Sequence, residues 1–241
     1  MIDGVKWNGR QNENDVIFEM MESILIYKKK IMNHQDNSEE EINKEIQEGF
    51  IKQIADKIVQ GMENLENATD DVKRRWIWEL LQNSKDVPNK FGGVTVIIEI
   101  FKDKLLFKHN GDCFTFRNIT SLIQQVSSKD DKGDDPNVTG KFGTGFITTH
   151  LLSKKFIVYG VVKSQANYYK KFKMDIDRDA SNSADMMIKI KNLLDELRNL
   201  KSKDSIENYD ENRKEDDMDT IFEYPLNSDS YLTAKIGIDD L

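Results

Sequence analysis

Glu79, Asn83 and Asp86 stand at i, i+4 and i+7 in the run DVKRRWIWELLQNSKD (71–86). On a helix that spacing brings a carboxylate, a carboxamide and a second carboxylate to one face. Trp76, Ile77, Leu80, Leu81 and Ser84 cover the adjoining faces, so the helix has apolar surface to bury. Polar groups on a largely buried helix need partners. A ligand carrying a metal ion and phosphates would supply them; so would neighbouring backbone, and this helix alone leaves both readings open.

A second chemical feature lies downstream. Gly140-Lys-Phe-Gly-Thr-Gly-Phe146 carries its glycines in the order G-x-x-G-x-G, just before a short helical run, ITTHLL. It is neither a Rossmann fingerprint, which would be G-x-G-x-x-G straight after a strand, nor a P-loop, which needs GK[ST]. Glycines often mark only tight turns, yet side-chain-free positions that open a helix let backbone N–H groups approach an anion. The preceding stretch, SSKDDKGDDPNVT (127–139), has the composition of a mobile lid. Together they give a metal-competent carboxamide, a carboxylate base, a lid and a phosphate cradle.

The elements that must position these residues follow from periodicity. Residues 15–32 and 41–65 repeat apolar side chains at helical spacing, the second stripe being Ile42, Ile46, Phe50, Ile54, Ile58 and Met62. A polar linker is expected over 33–40, with Ser38 and Glu41 as a capping box. VTVIIEIF (94–101) and LLFKH (105–109) form a hairpin, broken by Asn110-Gly111-Asp112. Phe114 to Val126 reads as a helix, 155–162 and 168–177 as paired strands, and 183–200 as a helix. Residues 201–219 read as disordered or a long surface loop, and TIFEYPL and YLTAKIGI as closing strands.

Composition narrows the class. The net charge of −8 argues against a nucleic-acid-coating surface. A single cysteine, Cys113, excludes an internal disulfide and a cysteine zinc cage. The three histidines are scattered, so no metal site built from protein ligands alone is visible. No apolar run reaches the roughly eighteen residues of a membrane span, and no secretory leader is seen, so the expected location is cytoplasmic.

Three boxes in this order resemble the GHKL ATPases, the family of gyrase, ninety-kilodalton heat-shock chaperones and histidine kinases. ELLQNSKD (79–86) is similar to the family's Glu-x-x-x-Asn box, HNGDCF (109–114) sits where Asp-x-Gly-x-Gly belongs, and GKFGTGF (140–146) is similar to its Gly-x-x-Gly-x-Gly box. The chaperone-like and sacsin-like branch is the nearest in pattern. The resemblance implies that Glu79 is a general base toward water at the γ-phosphate and Asn83 a Mg²⁺ ligand. Asp86 and Lys90 would line the nucleotide pocket, and Ser128 and Lys129 would belong to the lid. Gly140, Lys141, Phe142, Gly143, Thr144, Gly145 and Phe146 would hold phosphates through the loop's N–H groups, and Thr220 would help bind adenine. His109, followed by Asn110, Gly111 and Phe114, replaces the family's adenine-reading aspartate, and Cys113 replaces the box's second glycine.

The implied fold is a two-layer α/β sandwich of Bergerat type. Its mixed, largely antiparallel sheet comes from 94–101, 104–109, 155–162, 168–177 and 220–225, with helices 71–87 and 183–200 on one face. Residues 1–70 would be a helical extension and 71–241 the ATP-binding domain, with a transducer domain following in a longer chain. The implied activity is Mg²⁺-dependent binding of ATP (or ADP) and slow hydrolysis that drives lid closure, conformational change or homodimerisation. The alternatives are a degenerate nucleotide-binding module without turnover and a helical scaffold whose boxes are coincidental.

Overall fold

The computed structural model describes residues 13–125, 145–165, 168–202 and 206–241; for 13–38, 165, 201 and 202 it describes the backbone alone. The elements run α1 (Glu13–Glu66), α2 (Asp70–Lys85), β1 (Val96–Ile100), β2 (Lys104–His109), β3 (Phe114–Thr115), α3 (Phe116–Gln124), a 3₁₀ helix (Phe146–Leu151), β4 (Lys155–Gln165) and β5 (Tyr168–Asp177). They continue with α4 (Ser183–Ser202), β6 (Ile206–Glu207), α5 (Tyr209–Asn212), β7 (Thr220–Pro225) and α6 (Ser228–Asp239).

The strands share one seven-stranded sheet in the order β1-β2-β7-β4-β5-β6, with β3 paired to β4. Among the described residues only the β3–β4 pairing is parallel, and the other pairings are antiparallel. Because strand side chains alternate, one face is set by Leu105, Phe107 and His109 on β2, Phe156 and Val158 on β4, Phe172, Met174 and Ile176 on β5, and Thr220, Phe222 and Tyr224 on β7, all buried. The other face carries Lys171, Lys173 and Asp175, exposed, and the cross-strand ion pair Lys108–Glu99 at 2.5 Å. This is the alternation of an antiparallel sheet covered on one side.

The helices bury their apolar stripes in the same core: Trp76, Ile77 and Leu80 of α2, Ile119 and Ile123 of α3, and Met186, Ile190, Leu193 and Leu197 of α4. Asp70 and Asp71 in its first turn and Lys85 in its last complement the dipole of α2. Two compact units divide the chain, residues 1–50 and 51–241. In the second, Ile54, Ala55, Ile58 and Met62 from the last turns of α1 join the core.

Five expectations are corrected. The linker over 33–40 is helical, part of one continuous α1. Neither glycine nor proline occurs between Gly9 and Gly49, so nothing in NHQDNSEE stops a helix. On the expected stripe, Ile54, Ile58 and Met62 are buried, but Ile42, Ile46 and Phe50 are exposed. Phe114 and Thr115 form a short strand before α3, because Thr115 with Asn118 makes a capping box that starts the helix there.

The stretch 201–219 contains β6 and α5 and a buried Arg213, so it is not a bare polar loop. YLTAKIGI is the helix α6, not a strand: Asn227 caps it, in a capping box with Ser230. Its buried residues Ser230, Ala234 and Gly237 recur at helical spacing, while Leu232 and Ile236, which a strand would have buried, are exposed. A Cβ at Gly237 would overlap the Trp76 indole, and that indole N–H donates to the Thr233 carbonyl at 3.3 Å. Close α2–α6 approach therefore requires glycine. No helix among the described residues is long and apolar enough to cross a membrane.

Candidate functional site

Glu79 lies on α2 where that helix packs on the 3₁₀ helix, and Gly145 precedes the latter. A Cβ built on Gly145 would collide with both oxygens of the Glu79 carboxylate. Gly145 has φ −67° and ψ −42°, a conformation open to any residue, so glycine is needed there for space and not for backbone freedom. Its carbonyl accepts from Thr148 N–H at 3.0 Å and from Thr148 Oγ1 at 2.8 Å, which holds the turn. Glu79 is 23% exposed, so water reaches it, and its ion pair is a loose one, Arg75 at 3.7 Å. Phe146 then turns inward, its ring 6.0 Å from Phe222 and 5.9 Å from Phe156.

Phe222 connects this corner to His109. The two rings stack with centroids 6.5 Å apart, and His109 pairs across β2–β7 with Thr220, both buried on the inner face. The Gly111 N–H donates to His109 Nδ1 at 3.1 Å. A backbone N–H can only donate, so Nδ1 is the acceptor and Nε2 carries the proton in the neutral ring. Burial, helped by Arg213, pulls the His109 pKa down to about 4, so the ring is neutral at pH 7.

The loop after His109 is tied to the exit of α2. Asp112 N–H donates to the Val87 carbonyl at 2.8 Å, and a Cβ at Gly111 would overlap that same carbonyl. Asn110 is 2% exposed, and its amide is committed to backbone: Oδ1 accepts from Thr95 N–H at 2.6 Å and Nδ2 donates to the Glu215 carbonyl at 2.5 Å. Asn110 thus holds the loop in shape. Burial pushes the Cys113 thiol up to about 11, which keeps it protonated and poorly nucleophilic.

The remaining expected residues divide. Asn83 and Asp86 are exposed, so the polar stripe of α2 is not a buried one as the amphipathic pattern suggested. Asn83 makes no side-chain hydrogen bond to another described residue. Lys90 reaches the carbonyls of Asp210 and Glu211, at 3.4 Å for the latter, and so is bound to α5. Phe114 lies apart, against Phe172 with centroids 5.3 Å apart and over Gly160. Ser128, Lys129, Gly140, Lys141, Phe142, Gly143 and Thr144, with the expected lid 127–139, lie outside the described residues.

The sequence reading missed Arg213, whose side chain is 1% exposed. Its NH2 donates to the carbonyls of Asn110 at 2.8 Å and Gly111 at 2.6 Å, and its Nε pairs with Asp219 at 2.7 Å. Asn89 Nδ2 also donates to the Asn110 carbonyl, at 2.9 Å. A second buried histidine, His150, lies at the other end of the 3₁₀ helix. Its Nδ1–H donates to the Ser153 carbonyl at 3.3 Å, so its Nε2 accepts from Gln125 Nε2 at 2.8 Å. Burial and the nearby Arg178 lower its pKa to about 3.

A magnesium nucleotide is the group that the resemblance implies, and the residues fit it in two respects. Asn83 offers an exposed carboxamide, and the missing side chain of Gly145 leaves room for the Glu79 carboxylate beside the glycine box. Among the described residues no three His, Cys, Asp or Glu gather into a metal cluster, so a cation here would be held mainly by a ligand's own oxygens. No model of a known protein family matches the chain, and no curated protein matches it in sequence.

Proposed function

We propose that this chain binds a magnesium nucleoside triphosphate at the corner formed by α2, the 3₁₀ helix and the β2–β7 ends, in a Bergerat-type fold, and hydrolyses it. The observation that carries this reading is the contact of Gly145 with Glu79. It joins two boxes far apart in the chain at one spot, with His109 and Thr220 linked to it through Phe222 and Phe146. In the resemblance the phosphates lie along the glycine box, the adenine lies at the second box, HNGDCF, and ATP is the nucleotide.

On this reading Glu79 accepts a proton from the attacking water, and its partial exposure gives that water access. Asn83 would hold the cation through its amide oxygen, and Gly145, having no side chain, leaves the Glu79 carboxylate its place. Phosphoryl transfer depends on positioning and charge stabilisation, so the rigid seating of α2 in the core is what these residues need from the fold. Calorimetric titration with ATP, with and without Mg²⁺, tests the reading: saturable Mg²⁺-dependent binding is expected, and no binding of any nucleotide would overturn it.

A further inference from the structure

We infer that the base pocket selects a 6-oxopurine, as in inosine or guanosine triphosphate, over adenine, because His109 presents a hydrogen-bond donor and not an acceptor. The inference rests on the nucleotide reading above and concerns the base end of that same site.

The geometry is local and specific. The Gly111 N–H occupies the lone pair of His109 Nδ1 at 3.1 Å. That hydrogen bond is built into the loop, because Gly111 is itself held between the His109 ring, the Val87 carbonyl and the Arg213 guanidinium on its own carbonyl. Flipping the ring to free Nδ1 would break that bond and leave the Gly111 N–H facing carbon. The only nitrogen left is Nε2, which carries the proton and has no hydrogen-bond partner among the described residues. Protonating the whole ring is resisted by burial and by the Arg213 charge, so Nε2–H stays a neutral, fixed donor near pH 7.

A fixed donor next to the exocyclic amine of adenine faces another donor, and a buried donor left without an acceptor costs more than the bond itself would contribute. The 6-oxo group of hypoxanthine or guanine is an acceptor and completes the pair. Thr220, across the strand pair, does not distinguish the bases, since its hydroxyl both donates and accepts. Selection therefore falls on His109.

The test is calorimetric binding of ITP, GTP and ATP, each with Mg²⁺, to the 241-residue chain and to His109→Asp. ITP isolates the effect, because it carries the 6-oxo group without the 2-amino group of guanine. The native chain should bind ITP about tenfold or more tightly than ATP, and His109→Asp, which restores an acceptor, should reverse the order. ATP binding as tightly as ITP would overturn the donor assignment while leaving a nucleotide site; no binding by any of the three would remove the site reading and this inference together. If His109→Asp does not fold, nitrogen-15 NMR of the native imidazole decides. An Nε2–H tautomer whose Nε2 signal moves with ITP and not with ATP supports the inference, and an Nδ1–H tautomer or equal response overturns it.

Discussion

Gly145 and Glu79 are so close that the missing side chain of one makes room for the carboxylate of the other. Gly145→Ala should cost about 1–3 kcal/mol by overpacking, read by urea denaturation. Glu79→Ala in the same chain should recover most of that loss, because the double variant removes the collision. Additive losses would show that the two residues do not meet.

On the proposed reading, the roles of Glu79 and Asn83 separate in kinetics and binding. Glu79→Ala should abolish turnover while leaving nucleotide affinity nearly unchanged, since the base acts on water. Asn83→Ala should weaken binding only when Mg²⁺ is present. Equal effects of both substitutions on affinity would remove the division.

Arg213 anchors the 209–219 segment to the loop that follows His109. Arg213→Ala should destabilise the chain by about 3–5 kcal/mol, because it leaves the partly buried Asp219 without its cation and the Gly111 carbonyl without its donor. Asp219→Ala should be strongly coupled to it, the double variant losing clearly less than the sum of the singles. An additive cycle would contradict the anchor.

The two buried histidines give a pH signature. His109 is lowered to about 4 and His150 to about 3, both below the ordinary value of 6.5. As the pH falls below that value, the unfolded chain takes up these protons before the folded one does. The stability that the neutral rings contribute is thus complete above about pH 6.5 and lost toward pH 4 and pH 3 respectively, with a loss of about 2 kcal/mol per ring by pH 5. Replacing His150 with glutamine should flatten the dependence of denaturation midpoint on pH between 7 and 5 by about half. An unchanged slope would mean that His150 titrates normally in the fold.

Much of the frame was readable because local pattern and tertiary burial agree. The alternation in 104–109 and 168–177 marks the inner sheet face, and the apolar stripe of α2 marks its buried side. Arg213 was not readable: its partners are carbonyls about a hundred residues earlier, and nothing in ENRKEDDMD distinguishes it from a solvated charge. α6 was misread because YLTAKIGI alternates like a strand, while the deciding signals are a cap at Asn227 and the fit of Gly237 on Trp76. Gly145 was singled out in the sequence as a glycine of a phosphate cradle, and its fit against Glu79 is a second property. That property is excluded volume, which only the folded chain displays. The donor character of His109 likewise depends on a backbone N–H two residues on, which a side-chain pattern does not show.

The central claim is that α2, the 3₁₀ helix and the β2–β7 ends form one magnesium-nucleotide site. Calorimetric titration of the chain with Mg²⁺-ITP and Mg²⁺-ATP, repeated with Asn83→Ala, tests it most directly. The account predicts one saturable site in the native chain and a clear loss of affinity in Asn83→Ala that disappears when Mg²⁺ is removed. Absence of binding, or binding indifferent to both Asn83 and Mg²⁺, would contradict it.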